Sequence, residues 1–355
     1  MSSRSVSSFL DGKLPSFVLL LLLAVSGRAE DSLGEKISSE VGKLFAERRG
    51  STVRVEAYDR HGKLSGTGFF ADPAGTIYTL FYVVANAEEI FVVHGDRRIP
   101  AKLLAADPRS GIALLKVDYN SPFIPIGNSK ELSLASPVVA IGFPVNLAAT
   151  PSFGIVGGFD RQFLGRYFMT THIRAIVSVE PGFGGAPLMN LKGEVVGIII
   201  SGIEGGGACY ALPIEAAEKI RLDYVRFGKP RHGWVGANVE DENEPGDGSH
   251  VRIAELGPES PAAQSGLKEG DIVSKIGGVK IATAEDVIDA SFFLTAGDRV
   301  SILIERDGRE MSIEVRPVEH PITNSPYYRS GLTELHALMP APLFENPKIE
   351  EPLRQ

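Results

Sequence analysis

The sequence predicts a mainly β protein, an all-β barrel or sandwich followed by a smaller compact unit. Two observations carry this reading. From Thr52 to about Pro213, short β-rich runs alternate with turn residues. Long helices between those runs are missing, which argues against a doubly wound α/β fold. A length of 355 residues suits about two domains, at roughly 100–200 residues each. Hydrophobic residues at 43% and charged residues at 23% supply two cores and argue against wholesale disorder. The formal net charge of −8 argues against nucleic acid as a partner, because phosphate binding needs a basic surface.

The elements follow in order. Arg4 and Lys13 precede the apolar run Leu14 to Val25, and Gly27 and Ala29 frame a cleavage site before Glu30. That is the layout of a secretory signal peptide, with Asp11 as an off-pattern charge. The run is too short for a spanning helix, which needs about 20 apolar residues. Residues 1–29 are therefore expected to be removed on export to the periplasm or cell envelope, leaving no integral membrane span. Leu33, Ile37, Val41, Leu44 and Phe45 then recur at helical spacing, with Gly50 as a stop. Strand-like runs follow at 53–57, 66–70, 77–84, 90–93, 112–117, 138–141 and 195–200. A helical stretch from Ile214 to Arg226 and the connector Phe227 to Pro230 lead to a second unit, His232 to Val318. The remainder is proline-bearing and aperiodic, an extended tail with a short helix at Leu332 to Leu338. The expected division is a signal peptide at 1–29, a first domain at 30–228, a second at 229–318 and a tail at 319–355.

Three landmarks appear in sequence. The first is Gly66-Thr67-Gly68-Phe69-Phe70, with Gly75 to Val84 behind it. The second runs from Ala106-Asp107-Pro108 to Val117, and the third from Pro181-Gly182-Phe183-Gly184-Gly185-Ala186-Pro187 to Asn190, continued by Gly193 to Ile198. Together with Ala140 to Pro144, Gly154 to Val156 and Ala208 to Pro213, they resemble the chymotrypsin-like HtrA (Deg) serine proteases over most of residues 35–318. The resemblance implies a chymotrypsin-like double β-barrel and acyl transfer by a serine, a histidine base and an orienting aspartate.

All three catalytic positions are changed. The resemblance puts the histidine at Tyr82, the aspartate at Gly111 and the serine at Gly184. A tyrosine titrates near 10 and is a poor base at neutral pH. Pro181 to Met189 contain no serine, threonine or cysteine, and Ser178 has no matching base. Asp107 lies four residues from the motif position and reads as structural, and neither His61 nor His94 is in place. Gly182 and Gly184 retain backbone N–H groups for an oxyanion-type pocket. The single cysteine, Cys209, has no base in its flank and reads as a buried small hydrophobe.

The second unit resembles a PDZ domain, the peptide-binding module that follows the protease in this family. Gly233-Trp234-Val235-Gly236 matches the entry that holds a carboxylate, and Ser260 to Val273 matches the internal signature. A hairpin at Ile276 to Ile281, a helix at about Ala284 to Leu294 and a strand at Val300 to Arg306 complete it. Strand addition to an open edge at Val235 to Val239, through Ala237, would bind an extended peptide. Val287 and Ser291 should line the groove, with inward packing an equal alternative for Val287. Trp234 either covers the carboxylate loop or meets the first domain. The acidic stretch Asp241 to Ser249 reads as a solvated loop, and no histidine or cysteine cluster has metal-ligand spacing.

The implied function is an exported pseudoprotease that binds exposed C-termini or unfolded segments as a scaffold, holdase or modulator of active relatives. No metal or other cofactor is implied, and the resemblance implies a homotrimer or a hetero-oligomer with active relatives. The alternatives are a serine endopeptidase with a displaced site and a structural subunit of an envelope complex.

Overall fold

The computed structural model describes residues 32–163, 166–203, 205–244 and 248–319. The expected signal peptide and nearly all of the tail lie outside these residues. The described chain opens with the helix Leu33–Arg48, started by a capping box. Ser32 Oγ accepts from the Glu35 N–H while the Glu35 carboxylate accepts from the Ser32 N–H. Only its C-terminal part meets the body, through buried Leu44.

Seven antiparallel strands build the first barrel, in the spatial order Arg97–Pro100, Glu89–His94, Thr52–Asp59, Gly62–Phe70, Thr76–Leu80, Ile112–Lys116 and Lys102–Asp107. Val53, Val55, Phe69, Ile77 and Leu114 fill it. The apolar run expected as one strand at 77–84 divides. Its pairing with Ile112–Lys116 ends at Leu80, and Phe81–Val84 forms a helical turn closed by the Ala85 N–H on the Phe81 carbonyl at 2.9 Å. The turn buries Phe81, Val83 and Val84 together. A strand would have sent adjacent Val83 and Val84 to opposite faces.

The second barrel is closed, in the order Arg166–Ile176, Cys209–Pro213, Val195–Gly202, Pro187–Met189, Pro137–Gly142 and Thr150–Phe163. Val138, Val156, Ile173, Phe183 and Cys209 lie in its core. The helix Ile214–Phe227 packs against the first core and stops at Gly228, whose left-handed φ of 72° lets its N–H reach the Tyr224 carbonyl at 2.7 Å.

The third sheet runs Ala237–Glu244, Gly248–Leu256, Ile272–Ile276, Val300–Arg306 and Arg309–Val315, with Val279–Lys280 paired to Ile272–Ile276. Gly233–Trp234 pairs with Val318–Glu319, and the helices are Pro261–Gln264 and Ala284–Phe292. The acidic stretch expected as a loop instead prolongs a hairpin, whose register continues to Glu244 opposite Gly248. Arg252 bridges Glu240 at 2.9 Å and Glu242 at 3.1 Å, which offsets the carboxylate repulsion that a strand there would suffer.

The second domain is joined to the barrels at two ends. At the connector, His232 Nε2 lies 2.9 Å from Asp107 Oδ1, both side chains being buried. Lys219 Nζ donates to Asp223 at 2.6 Å and to the Arg231 carbonyl at 3.0 Å, and Thr295 Oγ1 donates to Asp223 at 2.9 Å. At the far end, Arg161 reaches Asp286 at 2.5 Å and Thr283 at 3.2 Å, and the Thr170 hydroxyl and Thr171 N–H both donate to Asp289 at 2.6 Å. Between the two ends Phe292, from the second domain's helix, is buried within the first core. Burial pushes the Asp107 carboxyl up, but hydrogen bonds from His232 and Ser110 outweigh it and hold the group below its usual range. Replacing Asp107→Ala leaves the His232 N–H and the Ser110 N–H without their acceptor. The expected loss is about 1–3 kcal/mol, read as a lower thermal midpoint, with Asp107→Asn milder.

Candidate functional site

The expected triad positions meet between the barrels. Tyr82 sits on the helical turn, and the neighbouring Phe81 N–H donates to the Gly111 carbonyl at 2.8 Å. Gly111 has a left-handed φ of 76°, and its own N–H donates to the Asp107 carbonyl at 2.9 Å. Gly184 is tied to the same neighbourhood: the Thr67 N–H donates to its carbonyl at 2.8 Å. A Cβ added at Gly66 would meet Val83 Cγ2 at 2.7 Å and the Gly184 carbonyl at 3.1 Å, so Gly66 lies against both landmarks.

The loop around Gly184 is held from both barrels. Thr67 Oγ1 donates to the Gly182 carbonyl at 2.6 Å and accepts from the Phe143 N–H at 3.1 Å. The Val145 N–H donates to the Pro181 carbonyl at 2.6 Å, with Val145 in the left-handed region at φ 39°, an outlier for a β-branched residue. Gly182 has a φ of 103°, and a Cβ there would fall 2.2 Å from the Phe143 carbonyl oxygen. Phe183 is buried in the second core. The N–H groups of Phe183, Gly185 and Ala186 bond to Glu180, Ile199 and Phe183 carbonyls. Among the described residues no hydrogen bond takes up the N–H of Gly182 or Gly184. These two N–H groups are the backbone donors that the resemblance assigns to an oxyanion-type pocket.

Among the described residues the other candidate groups have surroundings of their own. Burial pushes the Tyr82 phenol above its ordinary value, further from a working base. Ser178 lies beyond the end of its strand and donates to the Gly206 carbonyl at 3.2 Å. Cys209 is buried, which pushes its thiol up to about 12. His61 bonds Arg60, His94 the Gly50 carbonyl, His172 the Thr170 carbonyl and His232 Asp107, so none of these four bonds a serine hydroxyl. Among the described residues no group of three or more His, Cys, Asp or Glu side chains could hold a metal ion, and no helix there is long and apolar enough to cross a membrane.

The second domain presents an open strand edge. Among the described residues Ala237–Glu244 pairs only with Gly248–Leu256, and the helix Ala284–Phe292 lies beside it, tied to it by the Ala284 N–H on Asp241 at 2.7 Å. The strand begins at Ala237 rather than Val235, because Gly236 turns the chain at φ 75°. The Gly236 carbonyl accepts from Gly257 at 2.9 Å and that of Val235 from Ala262 at 2.9 Å. Among the described residues, nothing accepts from the N–H of Val235 or Gly236. Trp234 covers this turn: a Cβ at Gly236 would meet its ring at 2.7 Å. Gly233 is fixed by its N–H on the Leu294 carbonyl at 2.8 Å. Val287 is half-buried against the third core, and the Ser291 hydroxyl donates back to the Ile288 carbonyl at 2.7 Å. The joint residues Arg161, Thr170, His232 and Asp289 were not legible in the sequence, since their partners lie 118–125 positions away.

Comparison with known proteins gives two domain matches, a trypsin-like peptidase domain at residues 66–198 and a PDZ domain at 233–316. A relative from Pseudomonas fluorescens, named a probable periplasmic serine endoprotease DegP-like, is 34% identical over 269 residues, covering 72% of this chain and 56% of the relative. A protein of the same name from Halomonas elongata is 30% identical over 305 residues, covering 81% of this chain and 64% of its own. The chain thus spans little more than half of the first of these. Among solved structures, an HtrA-type protease AlgW with a tripeptide aligns with a TM-score of 0.68 at 22% identity, covering 79% of this chain and 97% of that one. A serine endoprotease from Yersinia pestis aligns with a TM-score of 0.61 at 25% identity, covering 79% and 98%.

Proposed function

Because the chain belongs to the HtrA/DegP-type family of trypsin-like peptidases with one PDZ domain, we propose that it is a periplasmic pseudoprotease whose PDZ groove binds exposed C-termini or unfolded segments of other proteins. The periplasmic location agrees with the names of its relatives. Those relatives are named proteases, and this chain parts from their chemistry at Tyr82, Gly111 and Gly184. One observation carries the binding role: an unpaired strand edge at Ala237–Glu244 leads from the unengaged N–H groups of Val235 and Gly236 and runs beside the helix Ala284–Phe292. A peptide strand would add to the edge through backbone bonds, with its terminal carboxylate on those N–H groups and its side chains against Val287 and Ser291. Such a module would act as a scaffold, a holdase or a modulator of active relatives. The oligomer that the resemblance implies, a homotrimer or a hetero-oligomer, belongs to the same proposal and is read by sedimentation.

The test is a titration with extended peptides bearing a free C-terminus. Affinity should be modest, because ordering a flexible ligand offsets part of a strand-sized contact. Amidating the peptide's C-terminus should weaken binding, and Val287→Trp should abolish it with the fold intact. If no resonance in residues 233–239 or 284–292 moves with any peptide of a C-terminal library, the reading is wrong.

A further inference from the structure

The groove helix is a wall with two working faces. Asp286 and Asp289 bond the second barrel's hairpin, while Val287 and Ser291 are the positions expected to face the strand edge. The strand Arg166–Ile176 carries Thr170, His172 and Arg174, and its pairing with Thr150–Phe163 shifts register between Tyr167 and His172. Thr170 is bonded to the helix through Asp289, and Arg174 Nε is bonded to Asp160 at 2.7 Å. His172 lies between them and is 5% exposed. Its ring stacks on Phe168 at 4.2 Å, and its Nδ1 lies 2.6 Å from the Thr170 carbonyl oxygen.

We infer that His172 makes this joint acid-labile: protonating its buried imidazole frees the hairpin from the groove helix, while the connector end of the joint holds. The charged groups around the ring explain why. From the helix come Asp289, already bonded to Thr170 and Thr171, and Asp286 and Glu285, both drawn toward Arg161. From the hairpin comes Asp160, opposite His172 in register and bonded to Arg174 and to the Tyr210 hydroxyl at 2.9 Å. The Tyr210 ring lies against Phe168. An imidazolium here has the Thr170 carbonyl and committed carboxylates for company, so it gains most by reaching water, and the hairpin must lift to let it. Thr170 and Thr171 then leave Asp289. The Arg161–Asp286 pair is part-exposed, and a pair of that kind holds little by itself.

The sign follows from burial, which depresses the imidazole to about 4. A neutral, buried ring favours the docked hairpin above the ordinary histidine range. That preference is lost as pH falls from about 6.5 toward about 4, because the released hairpin takes up the proton first. The gap corresponds to a roughly 300-fold change in the docking equilibrium. The connector resists over the same window, since His232 and Ser110 hold Asp107 below the usual carboxylate range against its burial.

Hydrogen exchange of the full chain, corrected for intrinsic rates, reads this directly at pH 7.5, 5.5 and 4.5. The Thr171 amide, which donates to Asp289, should lose protection progressively across that range, by tens of fold or more. Amides of the strands Ile112–Lys116 and Val300–Arg306 should stay protected, marking both domains as folded. His172→Phe, which keeps the stack on Phe168 without a titrating nitrogen, should retain Thr171 protection at pH 4.5. Full Thr171 protection in the wild type at pH 4.5 overturns the inference. So does an identical acid loss in folded His172→Phe. If that variant fails to fold, the wild-type series decides alone.

Discussion

Unfolded casein should remain intact when incubated with the purified chain, with cleavage no faster than in buffer. The peptidase reaction requires a nucleophile, a base to take its proton and a group to orient that base. Gly184, Tyr82 and Gly111 offer none of these, and burial makes the tyrosine a worse base still. Removing the serine or the histidine alone costs on the order of 10⁶ in turnover in subtilisin. The Gly182 and Gly184 N–H groups would retain only the pocket's share, about 10³–10⁴ over the uncatalysed rate. Gly184→Ser alone should therefore restore nothing measurable. A triple reversion, Tyr82→His, Gly111→Asp and Gly184→Ser, should recover a detectable fraction, because the barrels and the Pro181 to Ala186 loop are in place. The aspartate would limit that recovery. A Cβ at Gly111 meets nothing within 4 Å, so space is not the obstacle, but the φ of 76° is one that side chains rarely adopt. Left-handed backbone costs roughly 1–2 kcal/mol, somewhat less for aspartate. Casein turnover by the unaltered chain that a serine-directed inhibitor stops would refute the pseudoprotease reading.

Phe292→Ala should be the most damaging single change to stability outside the barrels' own cores. Phe292 belongs to the groove helix by sequence, yet it is fully buried within the first barrel's cluster. Its ring lies 5.5 Å from that of His232 and 5.3 Å from that of Phe293. Truncating a buried phenylalanine costs about 3–5 kcal/mol through lost transfer and a residual cavity. Here the cavity would open at the joint itself. Calorimetry should show the PDZ transition falling in temperature and separating from that of the barrels. Superimposable melts of variant and wild type would show that Phe292 does not couple the domains.

Most of the fold was legible because it depends on local order. Short apolar runs broken by turn residues marked the strands, and the glycines at 182 and 236 marked turns of positive φ. The expectation that Tyr82, Gly111 and Gly184 hold the changed positions rests on the same local order, each lying beside a recognisable neighbour such as Val83, Ile112 or Pro187. The helical turn at Phe81–Val84 was not, since a short apolar run reads alike as strand or buried helix. Nor was the joint. His172 and His232 gain their meaning from Asp289 and Asp107, partners fixed only by the packing of distant segments. The strand edge was placed two residues early, because the turn at Gly236 depends on the carbonyl contacts made by Gly257 and Ala262.

The position of Cys209 has a consequence for how the chain matures. Its sulfur is sealed inside the second barrel and stays a neutral thiol up to about pH 12. Thiol oxidation requires exposure and thiolate character, so an oxidising compartment finds no accessible thiol among the described residues of the folded molecule. Folding there need not wait on a disulfide catalyst, and its outcome should be indifferent to reductant. The same seal makes the native protein a blank background for thiol chemistry: a cysteine introduced at one exposed position would carry a fluorophore or spin label alone.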